Sequence, residues 1–262
     1  MNGRVVIVTG ASSGIGEATA RAFARSSDRV VLTARRAEHL QQLAAELPGS
    51  LVAPGDLTSS PDIARIVADA VRAFGRIDVL VNNAGLGRYD WLERLPEDDI
   101  RDEISVNLMG SILLTKAVLP AMQTQRRGVI INVCSVAGRI GLPTATVYNT
   151  TKFGLDGFSE ALRREVGPQG IRVCVVYPGG VAGTEFGRTA KRVDLGVATP
   201  AWLRLTADQV AAAIVRLADH PRPRLVMPWV FNAAIAANAL LPSAVDGVMA
   251  RTVRRARAAM VR

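Results

Sequence analysis

A tyrosine and a lysine four residues apart form the pair with the clearest chemical potential in this sequence. In the segment Tyr148-Asn149-Thr150-Thr151-Lys152, the spacing places a phenol and an ammonium on one face of a predicted helix. A free tyrosine has a pKa of about 10 and transfers protons poorly at neutral pH. A neighbouring cation favours the phenolate and lowers that pKa towards the range that acid–base catalysis needs. Taken alone, the same spacing also fits a solvated helix face, because such pairs contribute little energy.

Short apolar runs alternate with helical patterns, and this alternation predicts the frame that positions the pair. The strand-like runs occupy residues 4–9, 29–33, 50–53, 77–81, 128–134, 171–176 and 224–227. Helical spacing of apolar residues marks 16–26, 37–47, 62–74, 100–123, 146–166 and 207–219. Apolar strands joined by helices are typical of a parallel sheet covered on both faces. We therefore predict an α/β fold, a single-domain Rossmann-type doubly wound parallel sheet of about seven strands.

Length and composition favour one globular domain in a reducing compartment. The 262 residues are 49% apolar and 21% charged, and residues 1–227 carry the strand–helix alternation together with a long loop at 181–205. Cys134 and Cys174 fall inside strand-like runs and the two histidines are isolated, so neither a disulfide framework nor a metal site is expected. The first strand-like run follows the start without a secretory pattern, which favours a cytoplasmic protein.

A glycine-rich turn follows the first strand-like run. Its residues are Gly10-Ala11-Ser12-Ser13-Gly14-Ile15-Gly16, and a helical pattern begins there. Glycines let a backbone turn approach a pyrophosphate, and a helix N-terminus supplies amide groups and a positive dipole end. The spacing Gly-x-x-x-Gly-x-Gly differs from the more common fingerprint Gly-x-Gly-x-x-Gly. Its place between a strand and a helix still favours a dinucleotide site.

Several motifs together indicate a family. The chain resembles the classical short-chain dehydrogenase/reductases, which combine this glycine spacing with an Asn-Asn-Ala-Gly segment and a Ser, Tyr and Lys triad. The matching residues are Gly10, Gly14 and Gly16, then Asn82-Asn83-Ala84-Gly85, then Ser135, Tyr148 and Lys152, with Asn107 in the place of a fourth active-site member. The resemblance covers residues 4–227 with the motifs in family order. It implies an oxidoreductase that uses a nicotinamide dinucleotide.

The resemblance and the chemistry of the side chains assign roles to four residues. Tyr148 is expected to donate a proton in carbonyl reduction and to accept it in alcohol oxidation. Lys152 is expected to lower the tyrosine pKa and, by resemblance, to bond the nicotinamide ribose. Ser135 is expected to orient the substrate oxygen, and Asn107 to hold a water that links Lys152 to solvent. From the residues alone, Ser135 also fits a turn cap and Asn107 a helix residue bonded to nearby backbone.

The end of the second strand-like run favours NADP over NAD. It reads Thr33-Ala34-Arg35-Arg36, without the carboxylate that NAD enzymes place there for the ribose 2′-hydroxyl. Arginine can hold a 2′-phosphate through paired charged hydrogen bonds, although Arg35 and Arg36 also fit a surface turn. By resemblance, Asp56 and Leu57 flank the adenine; Asn83, Ala84 and Gly85 lie near the adenosine ribose; and Pro178 and Gly179 lie beside the nicotinamide, with Val181 next in the family pattern. The family threonine comes one residue later, at Thr184, so Thr184 is not counted among the expected cofactor contacts.

Three segments, 86–95, 137–144 and 181–205, are expected to surround the substrate. Their apolar residues are Leu86, Trp91, Leu92, Ile140, Leu142, Phe186, Leu195, Trp202 and Leu203. An apolar pocket suits a lipid-like carbonyl or alcohol, and packing of the loops explains the same residues equally well. A small molecule is therefore the expected partner. Nucleic acid is not expected, because basic charge is concentrated at one end of the chain.

Residues 228–262 are predicted to form a helical extension that is first apolar and then basic. Five of the nine excess positive charges are arginines within residues 251–262. Such a composition is typical of an interfacial anchor, which would make the protein peripheral to a membrane. The segment could equally cover the substrate pocket or form a subunit interface. By resemblance, a homodimer or homotetramer would assemble through the helices at 100–123 and 146–166.

Two classes of function follow. The first is an NADP(H)-dependent oxidoreductase that interconverts a carbonyl and an alcohol, with an apolar substrate. The alternative is a non-catalytic NADP-binding sensor or scaffold on the same fold, possibly associated with a membrane, because fold alone does not fix function. The intact Ser135, Tyr148 and Lys152 favour the enzyme, since a sensor needs no activated phenol.

Overall fold

Helices and strands alternate through almost all of the chain that the computed structural model describes, residues 3–190, 193 and 199–260. The strands are β1 (Val5–Thr9), β2 (Arg29–Thr33), β3 (Leu51–Val52), β4 (Val79–Asn82), β5 (Gly128–Val133), β6 (Ile171–Pro178) and β7 (Arg224–Met227). The helices are α1 (Gly14–Arg25), α2 (Ala37–Glu46), α3 (Ser60–Phe74), α4 (Glu97–Ile104), α5 (Ser111–Gln125), α6 (Thr146–Val166), α7 (Glu185–Thr189), α8 (Ala207–Asp219), α9 (Phe231–Leu240) and α10 (Pro242–Met260).

The seven strands form one parallel sheet in the order β3-β2-β1-β4-β5-β6-β7, which confirms the predicted doubly wound fold. Strand β1 pairs with β2 on one side, Thr9 opposite Thr33, and with β4 on the other, Val8 opposite Val81. The strand order reverses between β1 and β4. In open α/β sheets, ligands bind in the crevice outside the carboxyl ends of the strands at such a switch point. The crevice beyond Thr9 is therefore where the site residues should meet.

Alternate side chains of β1 enter two separate cores, which explains why the run is apolar throughout. One face carries α1, α2 and α8, and its buried residues include Val6, Val8, Phe23, Leu40 and Ile214. The opposite face carries α3, α5 and α6, with Val5, Ile7, Ile66, Leu114 and Leu162. A strand covered on both faces cannot expose a polar side chain to water on either side.

A buried polar network fastens β4 and β5 to the helices behind them. Asn82 Nδ2 donates to Thr115 Oγ1 at 2.9 Å and to Asn132 Oδ1 at 2.8 Å, and Asn132 Nδ2 donates to Ser159 Oγ at 2.7 Å. All four side chains are buried. Because buried polar groups are costly when unpaired, the network fixes the positions of α5 and α6 along the strands.

Three elements differ from the sequence expectations. Strand β3 is only two residues long, against the predicted 50–53. The predicted helix at 100–123 is a longer helical stretch, Glu97–Gln125, with a π-helical turn at Ser105–Gly110. That stretch is long and apolar enough to cross a membrane by composition, and it packs against α3 and α6. The predicted loop at 181–205 contains α7, and the helical C-terminal extension is present as α9 and α10.

Candidate active site

The start of α6 brings a phenol, an ammonium and a hydroxyl together at the carboxyl edge of the sheet. Tyr148 and Lys152 are 6% and 5% exposed, and Lys152 Nζ lies 5.6 Å from the centroid of the Tyr148 ring. Ser135 follows β5, and its hydroxyl is close enough to the phenol to oppose part of the rise in the Tyr148 pKa. Ser135 Oγ also accepts a hydrogen bond from the Ala137 N–H at 3.1 Å, so the residue caps a turn and faces the phenol at once. The structure therefore groups three of the four predicted catalytic residues.

The electrostatics of the pair differ from the sequence expectation. The pKa of Tyr148 lies well above its ordinary value, first because burial penalises the phenolate and second because Tyr89 is close. Burial also lowers the pKa of the Lys152 ammonium. Lys152 Nζ donates to the Val133 backbone carbonyl at 3.1 Å, so its charge is partly satisfied away from the phenol. The expected lowering of the tyrosine pKa by Lys152 is thus wrong for this arrangement, in which burial has the larger effect.

Asn107 is fixed by backbone groups of the segment that follows β4. Its Oδ1 accepts from the Leu86 N–H at 2.8 Å, and its Nδ2 donates to the Leu86 carbonyl at 2.8 Å and to Thr151 Oγ1 at 3.3 Å. Asn107 lies in the π-helical turn, a distortion that is frequent at functional sites. Its side chain thus joins three elements around the site, while the water-holding role stays a prediction.

An aromatic neighbour of Tyr148 was not predicted from the sequence. The Tyr89 ring meets the Tyr148 ring edge to face, with centroids 5.4 Å apart. Phe186, from α7, lies 5.7 Å from the Tyr148 ring and 6.5 Å from Tyr89. Tyr89 occupies a loop with no periodic pattern, so only the fold reveals its position.

Glu103 is a second residue that sequence reasoning missed. It is fully buried on α4, where Oε1 accepts from the Arg88 N–H at 2.8 Å. Its other oxygen has no hydrogen-bond partner among the residues described. Burial raises the pKa of this carboxyl to about 7, and its charge influences Tyr89, Tyr148 and Lys152. Nothing in the sequence distinguishes it from the exposed acidic residues around it on α4.

The ends of β1 and β4 are tied together at the crevice by Thr9 and Asn83. Thr9 Oγ1 accepts from the N–H groups of Asn83 and Ala84, both at 2.9 Å, and Asn83 Nδ2 donates to the Thr9 carbonyl at 2.9 Å. Gly10 has φ +66°, and a Cβ there would lie 2.9 Å from Asn83 Nδ2. Gly85 continues the segment. The glycine-rich turn and the Asn-Asn-Ala-Gly segment therefore form one wall of the crevice.

Helix α1 starts inside the glycine-rich turn. Gly14 is its first residue, and Ser13 stands at the N-cap position without a capping hydrogen bond from its side chain. A Cβ on Gly16 would lie 2.1 Å from the Gly10 carbonyl oxygen, so only glycine lets the helix pack on the turn. Ile15 packs against the core. The first amides of α1 thus point towards the crevice, as anion binding requires.

Arg36 forms hydrogen bonds with hydroxyl and carboxylate groups beside this turn. Its guanidinium donates to Ser12 Oγ at 3.1 Å, to Ser13 Oγ at 3.1 Å and to the Glu185 carboxylate at 2.8 Å. Glu185 is also hydrogen bonded to Ser13, and both contacts lower its pKa. Arg35 is exposed, and no ion pair joins it to another described residue. Of the two predicted arginines, Arg36 is thus the one directed at the glycine-rich turn.

The remaining predicted cofactor residues follow β3 and β6 at the same sheet edge. The Asp56 carboxylate accepts from the N–H and the hydroxyl of Thr58, both at 2.8 Å, and Leu57 is buried. On the other side of the crevice, the Pro178 carbonyl accepts a hydrogen bond from Ser135 Oγ at 3.5 Å. The Gly179 N–H donates to the Met227 backbone carbonyl at 2.7 Å.

Val181 and Thr184 hold the segment that leads away from β6. Val181 forms an isolated bridge with Leu205. Thr184 Oγ1 accepts from the Gly187 N–H at 3.2 Å and so caps α7. A Cβ on Gly14 would lie 3.6 Å from the Thr184 methyl group, so this threonine reaches the glycine-rich turn.

The predicted substrate-facing residues take different positions. Phe186 contacts Tyr148, and Ile140 is buried. Trp91 is buried as well, but its ring stacks with Arg257 of α10 at 4.0 Å. Three others are exposed: Leu92, Leu142 and Trp202. Two are half-buried: Leu86 and Leu203. Leu195 lies outside the described residues.

A comparison of sequences matches most of the chain to a known family. The family model described as short chain dehydrogenase matches residues 4–193. The 3-oxoacyl-[acyl-carrier-protein] reductase FabG of Thermotoga maritima is 41% identical over 184 residues, which are 68% of this chain and 74% of that protein. Across eight such relatives, the match covers 57% to 91% of their length.

Two similar solved structures contain nicotinamide dinucleotides. An alcohol dehydrogenase from Thermococcus sibiricus complexed with 5-hydroxy-NADP has a TM-score of 0.77 and 29% identity, over 86% of this chain and 95% of that one. A 3-ketoacyl-(acyl-carrier-protein) reductase from Brucella melitensis complexed with NADH has a TM-score of 0.78 and 28% identity, over 86% of this chain and 96% of that one.

Proposed function

Because the chain belongs to the short-chain dehydrogenase family, we propose that it interconverts a carbonyl and an alcohol with NADP(H) and that Tyr148 is its general acid–base. The named relatives are reductases and a dehydrogenase that act on carbonyl or alcohol groups. The observation that carries the proposal is the grouping of Ser135, Tyr148 and Lys152 beside the crevice at the sheet switch point. A hydroxyl beside a buried phenol, with an ammonium on the same helix face, is what proton transfer to a carbonyl oxygen requires.

The anion-binding capacity of Arg36 supports NADP(H) as the cofactor. Its guanidinium donates to the Glu185 carboxylate and to the Ser12 and Ser13 hydroxyls. The same donors suit a ribose 2′-phosphate, which accepts charged hydrogen bonds from arginine in paired geometry. The end of β2, Thr33, and the next position, Ala34, carry no carboxylate to receive a ribose hydroxyl. The amides at the start of α1 suit the pyrophosphate.

The chain's own residues supply orientation and the proton. When bound, the nicotinamide supplies or accepts the hydride. Ser135 orients the substrate oxygen next to the Tyr148 hydroxyl. The raised pKa keeps Tyr148 protonated at neutral pH, which is the form needed to donate a proton as the alcohol forms. Lys152 favours the phenolate that results, provided that its ammonium turns from the Val133 carbonyl towards the phenol.

The side chains beside Tyr148 favour an apolar substrate. Tyr89 and Phe186 present aromatic surfaces within 5.7 Å of the Tyr148 ring centroid. Apolar walls with a few convergent polar groups are the usual composition of a site for a lipid-like molecule. Two relatives are named as reductases of 3-oxoacyl or 3-ketoacyl chains, which makes this chemical class the first to test.

The proposal is tested by following NADPH oxidation with a panel of 3-oxoacyl thioesters, aldehydes and cyclic ketones. We expect turnover with at least one carbonyl class, and a preference for NADPH over NADH of about tenfold or more, because charged hydrogen bonds to a phosphate contribute about 1.5–3 kcal/mol. Cofactor binding without turnover across the panel, in both reaction directions, would favour the sensor instead.

A further inference from the structure

The C-terminal helices carry a surface that the proposed reaction does not use. Residues 228–245 contain no ionisable side chain, although most of them are exposed. Helix α9 touches the body of the protein through one narrow stripe, Phe231, Ile235 and Asn238, which are half-buried. The Phe231 ring lies against Gly179, and Asn238 Nδ2 donates to the Arg139 carbonyl at 3.5 Å. The other sides of α9 face away from the protein.

The outward side of α9 is apolar along its whole length. Trp229, Leu240 and Leu241 are 79%, 78% and 62% exposed. Ala233 and Ala236 lie between Trp229 and Leu240 at helical spacing and complete one face. Soluble monomers rarely expose a continuous apolar patch of this kind, and such patches usually mark an interaction site.

Helix α10, which follows this apolar face, carries exposed cationic side chains. Val248 is 58% exposed, and Arg251 and Arg255 follow it at helical spacing on the same outer face. Arg254 is exposed beside them. Within residues 3–190, 193 and 199–260, no carboxylate forms an ion pair with any of these three arginines.

Arg257 behaves differently from its neighbours, because it fastens α10 to the body of the protein. Its guanidinium lies 2.9 Å from the Glu93 carboxylate and 4.0 Å from the centroid of the Trp91 ring. The helix is therefore held at this point, while its other arginines stay available to an external anion.

The lengths and the bend of these helices suit a position on a membrane rather than across it. The ten residues of α9 extend about 15 Å, half of the ~30 Å that a bilayer core requires. Helices α9 and α10 are apolar enough to count together as one candidate span, but they are bent by 110° at their junction. An apolar helix that adjoins a cationic helix matches an interfacial anchor.

We propose that α9 and the outer face of α10 form a docking surface for an anionic lipid bilayer. Trp229, Leu240 and Leu241 enter the boundary between headgroups and acyl chains, and Arg251, Arg254 and Arg255 pair with lipid phosphates. Charge complementarity favours this occupant over a second copy of the chain. A two-fold contact pairs a patch with itself, and residues 228–262 contain a single carboxylate side chain, Asp246, to offset the arginines.

The test is co-sedimentation of the full chain with vesicles of phosphatidylcholine alone or mixed with phosphatidylglycerol. We expect binding to the anionic vesicles that weakens as salt rises. The triple variant Arg251→Gln, Arg254→Gln and Arg255→Gln should lose about 100-fold in affinity. Leu240→Ser with Leu241→Ser should also weaken binding. A triple variant with the same charge change at exposed sites elsewhere, Arg25→Gln, Arg127→Gln and Arg172→Gln, should bind as the parent does.

Three results would overturn the proposal. The first is no binding of the parent chain to anionic vesicles, and the second is equal binding by the two triple variants. The third is that Leu240→Ser with Leu241→Ser dissociates an oligomer in light scattering but leaves vesicle binding intact, which would assign the face to a contact between copies. Thermal unfolding of each variant checks its folding without reference to the oxidoreductase activity.

Discussion

The Arg36 guanidinium and the Glu185 carboxylate form a two-point ion pair across the glycine-rich turn, with nitrogen–oxygen distances of 2.8 and 3.1 Å. Arg36 follows β2, whereas Glu185 is the first residue of α7. The pair therefore joins the predicted cofactor side of the crevice to the predicted substrate loop. Both side chains are 41% exposed, so the pair contributes little stability. It must open if Arg36 is to bind a phosphate.

Glu185→Gln should tighten NADPH binding. The substitution removes a carboxylate that competes with the cofactor phosphate for Arg36, so affinity should rise by up to about fivefold, the equivalent of an exposed ion pair. Titration calorimetry measures the change. Glu46→Gln is a matched control, because Glu46 pairs with Arg21 at 2.8 Å away from the crevice. Unchanged or weaker binding by Glu185→Gln would show that the carboxylate does not compete.

Arg36→Ala should abolish the preference for NADPH. Removal of the guanidinium takes away the charged donor for the 2′-phosphate, so NADPH affinity should fall about tenfold or more while NADH affinity changes little. Arg35→Ala is the control, since Arg35 is exposed and has no described ion pair; it should have the smaller effect. Equal losses for NADPH and NADH would assign Arg36 a structural role at the turn.

The sheet could be predicted because its strands are covered on both faces and are therefore apolar throughout. Val5–Thr9 and Ile171–Pro178 are examples, and both lie where the apolar runs indicate. Strand β3 is shorter than predicted, since Leu51 and Val52 sit at the sheet edge with one neighbouring strand. The π-helical turn at Ser105–Gly110 could not be predicted, because it does not change the spacing of the apolar residues.

The site residues could be predicted where a sequence motif determines both the type of side chain and its position in the fold. Ser135, Tyr148 and Lys152 converge because the end of β5 and the start of α6 meet at the same sheet edge. Tyr89 and Glu103 could not be found, because their positions depend on how the loop after β4 folds back over α6. The pKa of Tyr148 was expected to fall and instead rises, since burial is invisible in a sequence.

Asn132→Ala should destabilise the fold. The substitution removes two buried hydrogen bonds, one from Asn82 Nδ2 and one to Ser159 Oγ, and the expected loss is about 1–3 kcal/mol in the free energy of unfolding. Urea denaturation provides the measurement. Asn232→Ala, at an exposed position of α9, should change stability far less. Equal effects of the two substitutions would mean that the network contributes no particular stability.

Glu103 should make the fold less stable as pH rises. Its pKa is raised from 4.5 to about 7 by burial, so the folded state keeps a proton that the unfolded state releases. The free energy of unfolding attributable to this group is therefore fully present below pH 4.5 and declines up to about pH 7, by roughly 3 kcal/mol. Glu103→Gln should remove that decline. Parallel pH profiles of the parent and the variant in urea unfolding would contradict the assignment.

Proton transfer by Tyr148 is tested most directly by comparing Tyr148→Phe with Tyr89→Phe. Each substitution removes one hydroxyl from the two rings in contact and keeps an aromatic ring. NADPH binding and the rate of carbonyl reduction are measured for both, with the best substrate from the panel. We expect Tyr148→Phe to bind NADPH as the parent does and to lose a factor of about 10²–10⁴ in kcat, and Tyr89→Phe to retain most of its turnover. Turnover by Tyr148→Phe at the parent rate would contradict the account.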